Sequence, residues 1–431
     1  MADLLSRLRA LEDNIRVGII GIGSIGKGLV LQCQMTPGME CVAIADIKMD
    51  RAIACAEWLE RDYRIVHTLE AMHETIHRGK IAVCEEGDLV ARCDLADVLI
   101  ESTNAIAAGG QFAITALEHR KHLVMMNYEA GLIFGPYLSH LAQEQGMVYT
   151  SCDGDQPTVL RHLINELEFM GFELVMAGNI KGYLDRYANP TTIIPEADKR
   201  NLDYRMCASY TDGTKLCIEM AVLANGLGLR TAVPGMYGPR ANHVHDVFDL
   251  FDLDALWEGK RPFVDYILGA KPAGGVFAIG YTDNEYQQST LAWFPPQMGP
   301  GPFYLFYRPY HLGHFEAMAC VAEAVLDGCS VLKPDFGFQT NVYAYAKRDL
   351  DKGERLDGIG GYTCYGLIEN CSENDDHPGI PICLAQSVIL KRNVAKDEKI
   401  FTEDVIYDPA DFQFKLYFKA VEQSKTRLNR V

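Results

Sequence analysis

No two of the thirteen cysteines in this chain stand in a C-x-x-C pair. That absence removes zinc ribbons and thioredoxin-type chemistry. The odd count and scattered spacing argue against a disulfide framework, so the cysteines read as reduced, mostly buried thiols of a cytosolic protein. No stretch of about 18 apolar residues occurs, which excludes a membrane-spanning helix. The opening residues, MADLLSRLRALEDNIR, are amphipathic and charged and lack the apolar centre of a secretory signal, so a cytoplasmic location is expected. Basic charge is also short: 40 Lys and Arg face 58 Asp and Glu, for a net charge of −18. Such a surface repels nucleic-acid phosphates, and an anionic small substrate would need a local nest of Lys, Arg or backbone N–H groups.

What is present is ordinary globular composition, 48% apolar and 23% charged over 431 residues, enough for two or three domains. From Arg16 short apolar runs alternate with helical segments. RVGIIGI, CVAIAD, ADVLIEST, HLVMMN and MVYTSC read as strands. GSIGKGLVLQCQM, MDRAIACAEWLERD, a segment around Gln111–His119 and another near Gly135–Gln145 read as helices. That rhythm predicts an α/β fold with a parallel Rossmann sheet over residues 1–152. An α+β substrate or dimerisation domain is expected over 153–340, with a helix through Leu160–Met170, the strand FELVMAG, a helix in GTKLCIEMAVLANGLGL and a proline-rich loop, AWFPPQMGPGPF. A small β-rich domain is expected over 341–431. In it KRDLDKGERL, from Lys347, and KRNVAKDEKI, from Lys391, share K-R-[DN]-[LV]-x-K-[GD]-E-[RK]-[LI], a duplicated strand-turn element.

Gly21-x-Gly23-x-x-Gly26 follows an apolar strand and opens an apolar helix. The first glycine permits a tight turn, the second lets a pyrophosphate approach the backbone, and the third allows close helix–strand packing. The N–H groups of Ser24 and Ile25 then face the phosphates. Asp46, at the end of the second strand, is placed to bond ribose hydroxyls. It favours NAD, whereas Lys48 and Arg51 could accept the extra phosphate of NADP. Strand ends carry ligands in open α/β sheets, which adds Ser102-Thr103-Asn104 and Asn127-Tyr128-Glu129; the same residues also fit simple strand termination. Thr103 and Asn127 are the expected cofactor contacts.

Hydride transfer at a carbinol carbon needs a proton donor and a group polarising the oxygen. Asp153-Gly154-Asp155-Gln156-Pro157 sets two carboxylates in a glycine turn, able to converge on a hard cation or simply to cap a helix. Lys215 and Glu219, at i and i+4 after Asp212-Gly213-Thr214, share a face of a strongly apolar helix, where charge favours a cleft over a surface pair. Lys181 ends a strand, where a general acid or a solvated lysine would sit. His243, His245 and His311 could be ligands and Arg308 an anion clamp, but a structural role is the favoured reading for each.

The stretches GIGSIGKG, VMMNYEAG, VYTSCDGDQP, YTDGTKLCIEMAVLANGLGL, FYRPYHL and AKRDLDKGERLDGIGGYTCYGLIE resemble one group of enzymes. These are oxidoreductases with a homoserine-dehydrogenase-like Rossmann domain and a C-terminal SAF-type domain, in particular the deoxyxylulose-phosphate-reductoisomerase-like branch of isoprenoid synthesis. The likeness runs from about Arg16 to Val405. It implies a homodimer, NADP (with NAD as the alternative), and magnesium or manganese, with Asp155 and Glu219 as metal carboxylates. The substrate it implies is a small phosphorylated or polyhydroxylated sugar derivative, and Asp155, Lys181, Lys215 and Glu219 form the expected catalytic set. Asp46 departs from an NADP preference. Dehydrogenases of homoserine, polyols or sugar acids are the alternative, although homoserine dehydrogenases carry A-N-K where this chain has Asn127-Tyr128-Glu129. A non-catalytic NAD(P)-binding sensor is the reading from another class.

Overall fold

The computed structural model describes residues 3–200, 202–293, 298–372, 377–386 and 388–428. The middle of the proline-rich loop, 294–297, lies outside them. The chain forms two compact units, each gathered from separated stretches. The first comprises 1–155, 312–333 and 415–424; the second comprises 156–311, 334–414 and 425–431. The chain-order partition at 152 and 340 is therefore crossed. The reason is apolar burial: Ala317, Met318, Cys320, Val321 and Ala322 share a core with Ile22, Leu29, Cys33 and Cys152.

The first unit is a parallel sheet of seven strands. They are β1 (Ile15–Ile20), β2 (Met39–Ala45), β3 (Tyr63–Ile65), β4 (Ile81–Cys84), β5 (Val98–Glu101), β6 (His122–Met125) and β7 (Tyr149–Ser151). Their order is β3-β4-β2-β1-β5-β6-β7, with every neighbouring pair parallel. The order reverses between β1 and β5, and their carboxyl ends form the switch point where such sheets bind ligands. The helix Tyr128–Gln145 starts earlier than the expected Gly135 and runs through Pro136, because the Asn127 side chain caps it by accepting the Ala130 N–H at 3.0 Å.

The second unit holds a mixed sheet ordered β12-β11-β8-β10-β9. Its strands are β8 (Glu173–Lys181), β9 (Arg230–Thr231), β10 (Phe263–Leu268), β11 (Val276–Tyr281) and β12 (Phe303–Arg308). Phe263, Ile267, Phe277 and Ile279 pack on one face against Val244, Val247, Phe251 and Leu253. Helices Gln156–Phe169 and Thr214–Leu227 pack on the sheet and on each other. A hairpin of β13 (Thr340–Ala346) and β14 (Cys364–Asn370) and a short pair, β15 (Ile389–Leu390) with β16 (Val405–Ile406), complete the unit.

The duplicated element is a pseudo-twofold pair. Leu350 and Val394, equivalent positions, exchange both main-chain hydrogen bonds, at 2.9 and 3.0 Å. The Lys352 N–H donates to Asn393 Oδ1, and the Lys396 N–H donates to Asp349 Oδ1, both at 2.8 Å. Arg348 pairs with Glu354, as Arg392 does with Glu398. Each copy crosses to the strand preceding the other: Gly353 N–H donates to Leu390 O and Asp397 N–H to Ala346 O. The [GD] position of the repeat has a physical cause. Gly353 (φ 88°) and Asp397 (φ 66°) both turn left-handed, a conformation that glycine and aspartate tolerate best.

No side-chain atom crowds Gly353, so Gly353→Ala should cost only its backbone strain, about 1–2 kcal/mol. Urea unfolding checks this; an unchanged midpoint would contradict the left-handed turn.

Candidate active site

The glycine loop is built by crowding. A Cβ on Gly26 would stand 1.9 Å from Gly21 O, and one on Gly21 would stand 2.7 Å from the Ser102 and Thr103 backbone. Around Gly23, by contrast, nothing lies within 4 Å of a Cβ. Gly23 is the N-cap of helix Ser24–Met35 and makes no side-chain cap. Ser24 and Ile25 are exposed there, with first-turn N–H groups that have no partner within the helix. Empty space over open N–H groups suits a pyrophosphate. Ser102 locks the loop by hydrogen bonding from Oγ to Ile20 O (2.9 Å) and Gly21 O (2.8 Å). Asp46 is 7% exposed and accepts the Ile22 N–H at 2.7 Å and the Lys48 N–H at 2.8 Å. Its carboxylate thus braces the loop from the end of β2, the position expected to meet ribose.

Sequence reasoning missed Glu101, which is fully buried at the end of β5. Its Oε1 accepts the Thr103 N–H at 2.9 Å. A Cβ on Gly109 would lie 2.7 Å from Glu101 Oε2 and 2.8 Å from Asn127 Nδ2, so that glycine leaves room for both groups. Burial, with Glu129 adding like charge, pushes the Glu101 carboxyl up to about 7, against the pull of Thr103 and Asn127. A charged residue closing an apolar strand was the available signal.

The Asp153-Gly154-Asp155 turn also lies in the first unit. Gly154 (φ +95°) is clamped to the 312–316 segment: its carbonyl accepts the Gly313 N–H at 2.7 Å, and a Cβ would meet Gly313 O at 2.0 Å. Asp153 is buried, and its N–H faces Cys320 Sγ at 3.3 Å. His314 stands against Gly28 of the nucleotide helix, and burial lowers its pKa.

Lys181, Lys215 and Glu219 belong to the second unit. Lys215 and Glu219 are buried, 6% and 4% exposed. Lys181 is half-buried. Strand register sets Arg308, Val276, Asn179 and Tyr266 in one row across β12, β11, β8 and β10, with Lys181 two residues from Asn179 on the same face. Asn179 is buried and was overlooked, although it is the polar residue of an apolar strand. His243 and His245 stack, with their Nδ1 atoms 2.8 Å apart, and His311 Nδ1 bonds Gly274 O at 2.7 Å. Among the described residues no group of three or more His, Cys, Asp or Glu side chains is arranged to hold a metal ion. Asp155 and Glu219, the expected metal carboxylates, thus belong to no such group. Among the described residues no cysteine forms a disulfide, and eleven of the thirteen are buried, with thiols such as Cys33 pushed up to about 12 by burial. Among the described residues no helix is long and apolar enough to cross a membrane.

A family model described as oxidoreductase DRL, catalytic domain, matches residues 154–317. The homoserine dehydrogenase of Bacillus subtilis (strain 168) is 26% identical over 132 residues, which are 31% of this chain and 28% of that protein. The chain therefore spans under a third of that curated relative. Among solved structures, a 3-ketoreductase from Actinomadura kijaniata gives a TM-score of 0.36 at 13% identity, covering 73% of this chain and 90% of that one. A probable dehydrogenase from Thermotoga maritima gives 0.33 at 9% identity, covering 95% and 89%. A DOX-P reductoisomerase in complex with magnesium gives 0.33 at 13% identity, covering 48% and 56%. None of these structural likenesses bears on substrate.

The loop and Glu101 each carry an expected outcome for substitution. Gly23→Val should leave the unfolding midpoint near that of the parent yet weaken NAD(H) and NADP(H) binding about a hundredfold, through lost charge-assisted contacts. Gly26→Ala should instead cost about 1–3 kcal/mol of stability through overpacking. Calorimetry and urea melts separate the two; parent affinity in the Gly23 variant would place the dinucleotide elsewhere. For Glu101, a folded pKa near 7 against 4.5 unfolded means the native state holds the extra proton between those values. Its contribution to stability is complete below pH 4.5 and is lost as pH rises through 7. Glu101→Gln should therefore gain on the parent as urea melts move from pH 5 to pH 7.5, and a pH-independent difference would refute the shift.

Proposed function

We propose that this chain is an NAD(P)-dependent oxidoreductase acting on a small polyhydroxylated or phosphorylated substrate. The observation that carries the reading is the open space over Gly23, at the switch point of a parallel sheet, in a chain whose residues 154–317 match an oxidoreductase catalytic domain. When bound, the nicotinamide ring supplies or takes up the hydride. The chain's own groups do the rest. The Ser24 and Ile25 N–H groups hold the pyrophosphate, and the Gly21–Ser102 contact fixes the loop that presents them. Lys215 gives a proton to the substrate oxygen on reduction and removes it on oxidation. Glu219, one helical turn on, offsets its charge, and Lys181 binds an anionic part of the substrate. Asp155 contacts a substrate hydroxyl.

A ketose-phosphate rearrangement followed by reduction is the finer reading; the motif resemblance, including the duplicated Lys347 and Lys391 element, supports it. With it come an SAF-type C-terminal domain and a homodimer, which light scattering can measure. Oxidation of homoserine, a polyol or a sugar acid is the alternative within the same class. The Asp46 carboxylate at the end of β2 favours a free ribose 2′-hydroxyl, hence NAD, whereas the resemblance implies NADP.

The test is dinucleotide absorbance with a panel of phosphorylated and free ketoses, aldonates, polyols and homoserine. Each is run with both cofactors, with and without magnesium or manganese. Turnover with at least one is expected, and Lys215→Met should lower kcat about a hundredfold or more while cofactor affinity stays unchanged. Tight dinucleotide binding with no turnover across the panel would leave the sensor reading in its place.

A further inference from the structure

We infer that Lys347, the first residue of the duplicated element, is a positioning residue for Lys215, acting through the buried carboxylate of Asp212. The inference rests on the role proposed for Lys215. Lys347 Nζ lies 2.9 Å from Asp212 Oδ2, and the two side chains are 3% and 0% exposed. The same ammonium donates to Ala188 O at 2.5 Å and to Gly361 O at 2.8 Å, so two main-chain carbonyls hold it beside the carboxylate. Asp212 Oδ1 in turn accepts the Thr214 N–H at 2.8 Å, at the start of helix Thr214–Leu227, where negative charge is favoured. Thr214 Oγ1 accepts the Gly366 N–H of β14 at 2.8 Å. Gly213 turns left-handed between them at φ 87°. The turn that delivers Lys215 is thus held by the Lys347 ammonium at Asp212 and by the Gly366 N–H of β14 at Thr214.

The second copy of the repeat supplies the control. Lys391, at the equivalent position, is exposed, and its ammonium donates to Glu403 O at 3.0 Å. The main-chain pairing of the two copies is the same, so the pseudo-twofold pair needs no buried ammonium at this position. Burying a charge pair is costly and gives little net stability. The Lys347–Asp212 pair therefore answers to something other than the repeat, and the residue three positions beyond Asp212 is Lys215. Burial pushes the Asp212 carboxyl up, and Lys347 opposes that rise.

Three full-length variants test this, using the substrate and cofactor that turn over: Lys391→Met, Lys347→Met, and Asp212→Asn combined with Lys347→Met. Lys347→Met alone strands a buried carboxylate; the double variant removes both charges and keeps the shape. Lys391→Met should stay within about twofold of the parent, since an exposed lysine contributes little. The double variant should fold and bind dinucleotide with parent affinity but lose about tenfold to a hundredfold in kcat through misplacement. The alkaline limb of its kcat–pH profile should also be displaced, which general loosening of the fold would not cause. Parent kcat and an unmoved alkaline limb in the folded double variant would overturn the inference. Should that variant not fold, Thr214→Val and Thr214→Ser decide instead: valine must displace the limb and serine must restore it. Lys215→Met with parent turnover would sink the role of Lys215 itself, whereas an active double variant beside an inactive Lys215→Met protein sinks only the role of Lys347.

Discussion

The first unit depends on how closely two strand ends approach. Gly21, at the end of β1, lies against the Ser102–Thr103 backbone after β5 with no room for a side chain, and Gly26 presses on the Gly21 carbonyl from the helix above. Ser102 Oγ, Glu101 Oε1 and Asp46 then take up the main-chain groups that this crowding leaves at the rim. Each is a short polar side chain at a strand terminus, where apolar burial stops and backbone pairing runs out. The open space over Gly23 is the product of that arrangement.

Much of this was legible in the chain. An apolar strand, three glycines at fixed spacing and a following acidic residue carry their own geometry, because each glycine answers a local steric demand. Asp46 shows the limit: its position was readable, but its bonds to the Ile22 and Lys48 N–H groups depend on how the loop folds back. β4, four buried residues reading Ile-Ala-Val-Cys, is too short for periodicity to register. The row Arg308, Asn179, Tyr266 was invisible for another reason. It exists only through register across strands distant in sequence, and nothing in GNIKGY announces which residues will lie beside Asn179. The repeat was visible as letters, but the exchange of hydrogen bonds between Leu350 and Val394 was not.

Charge is treated differently in the two units. In the first, Glu101 is buried without a cation and meets that cost by moving its pKa toward neutrality. In the second, Asp212 is equally buried but faces Lys347 across 2.9 Å and the start of a helix. Burial raises both carboxyls, but only that of Asp212 has an ammonium opposing the rise. The duplicated element carries both treatments at one position of its repeat: Lys391 is exposed, whereas Lys347 is buried against Asp212.

The discontinuity of the first unit has a consequence for how the chain is made. A ribosome releases all seven strands of the parallel sheet long before Met318–Leu326 and the segment 415–424 emerge. Until then the apolar surface around Leu29, Cys33 and Cys152 has no cover, because Met318, Cys320 and Val321 are its lid. The whole of the second unit's sheet is synthesised during that interval. The nascent sheet must therefore wait with an open seam, and translation speed through residues 156–311 sets how long that seam is available to chaperones or to a neighbouring nascent chain.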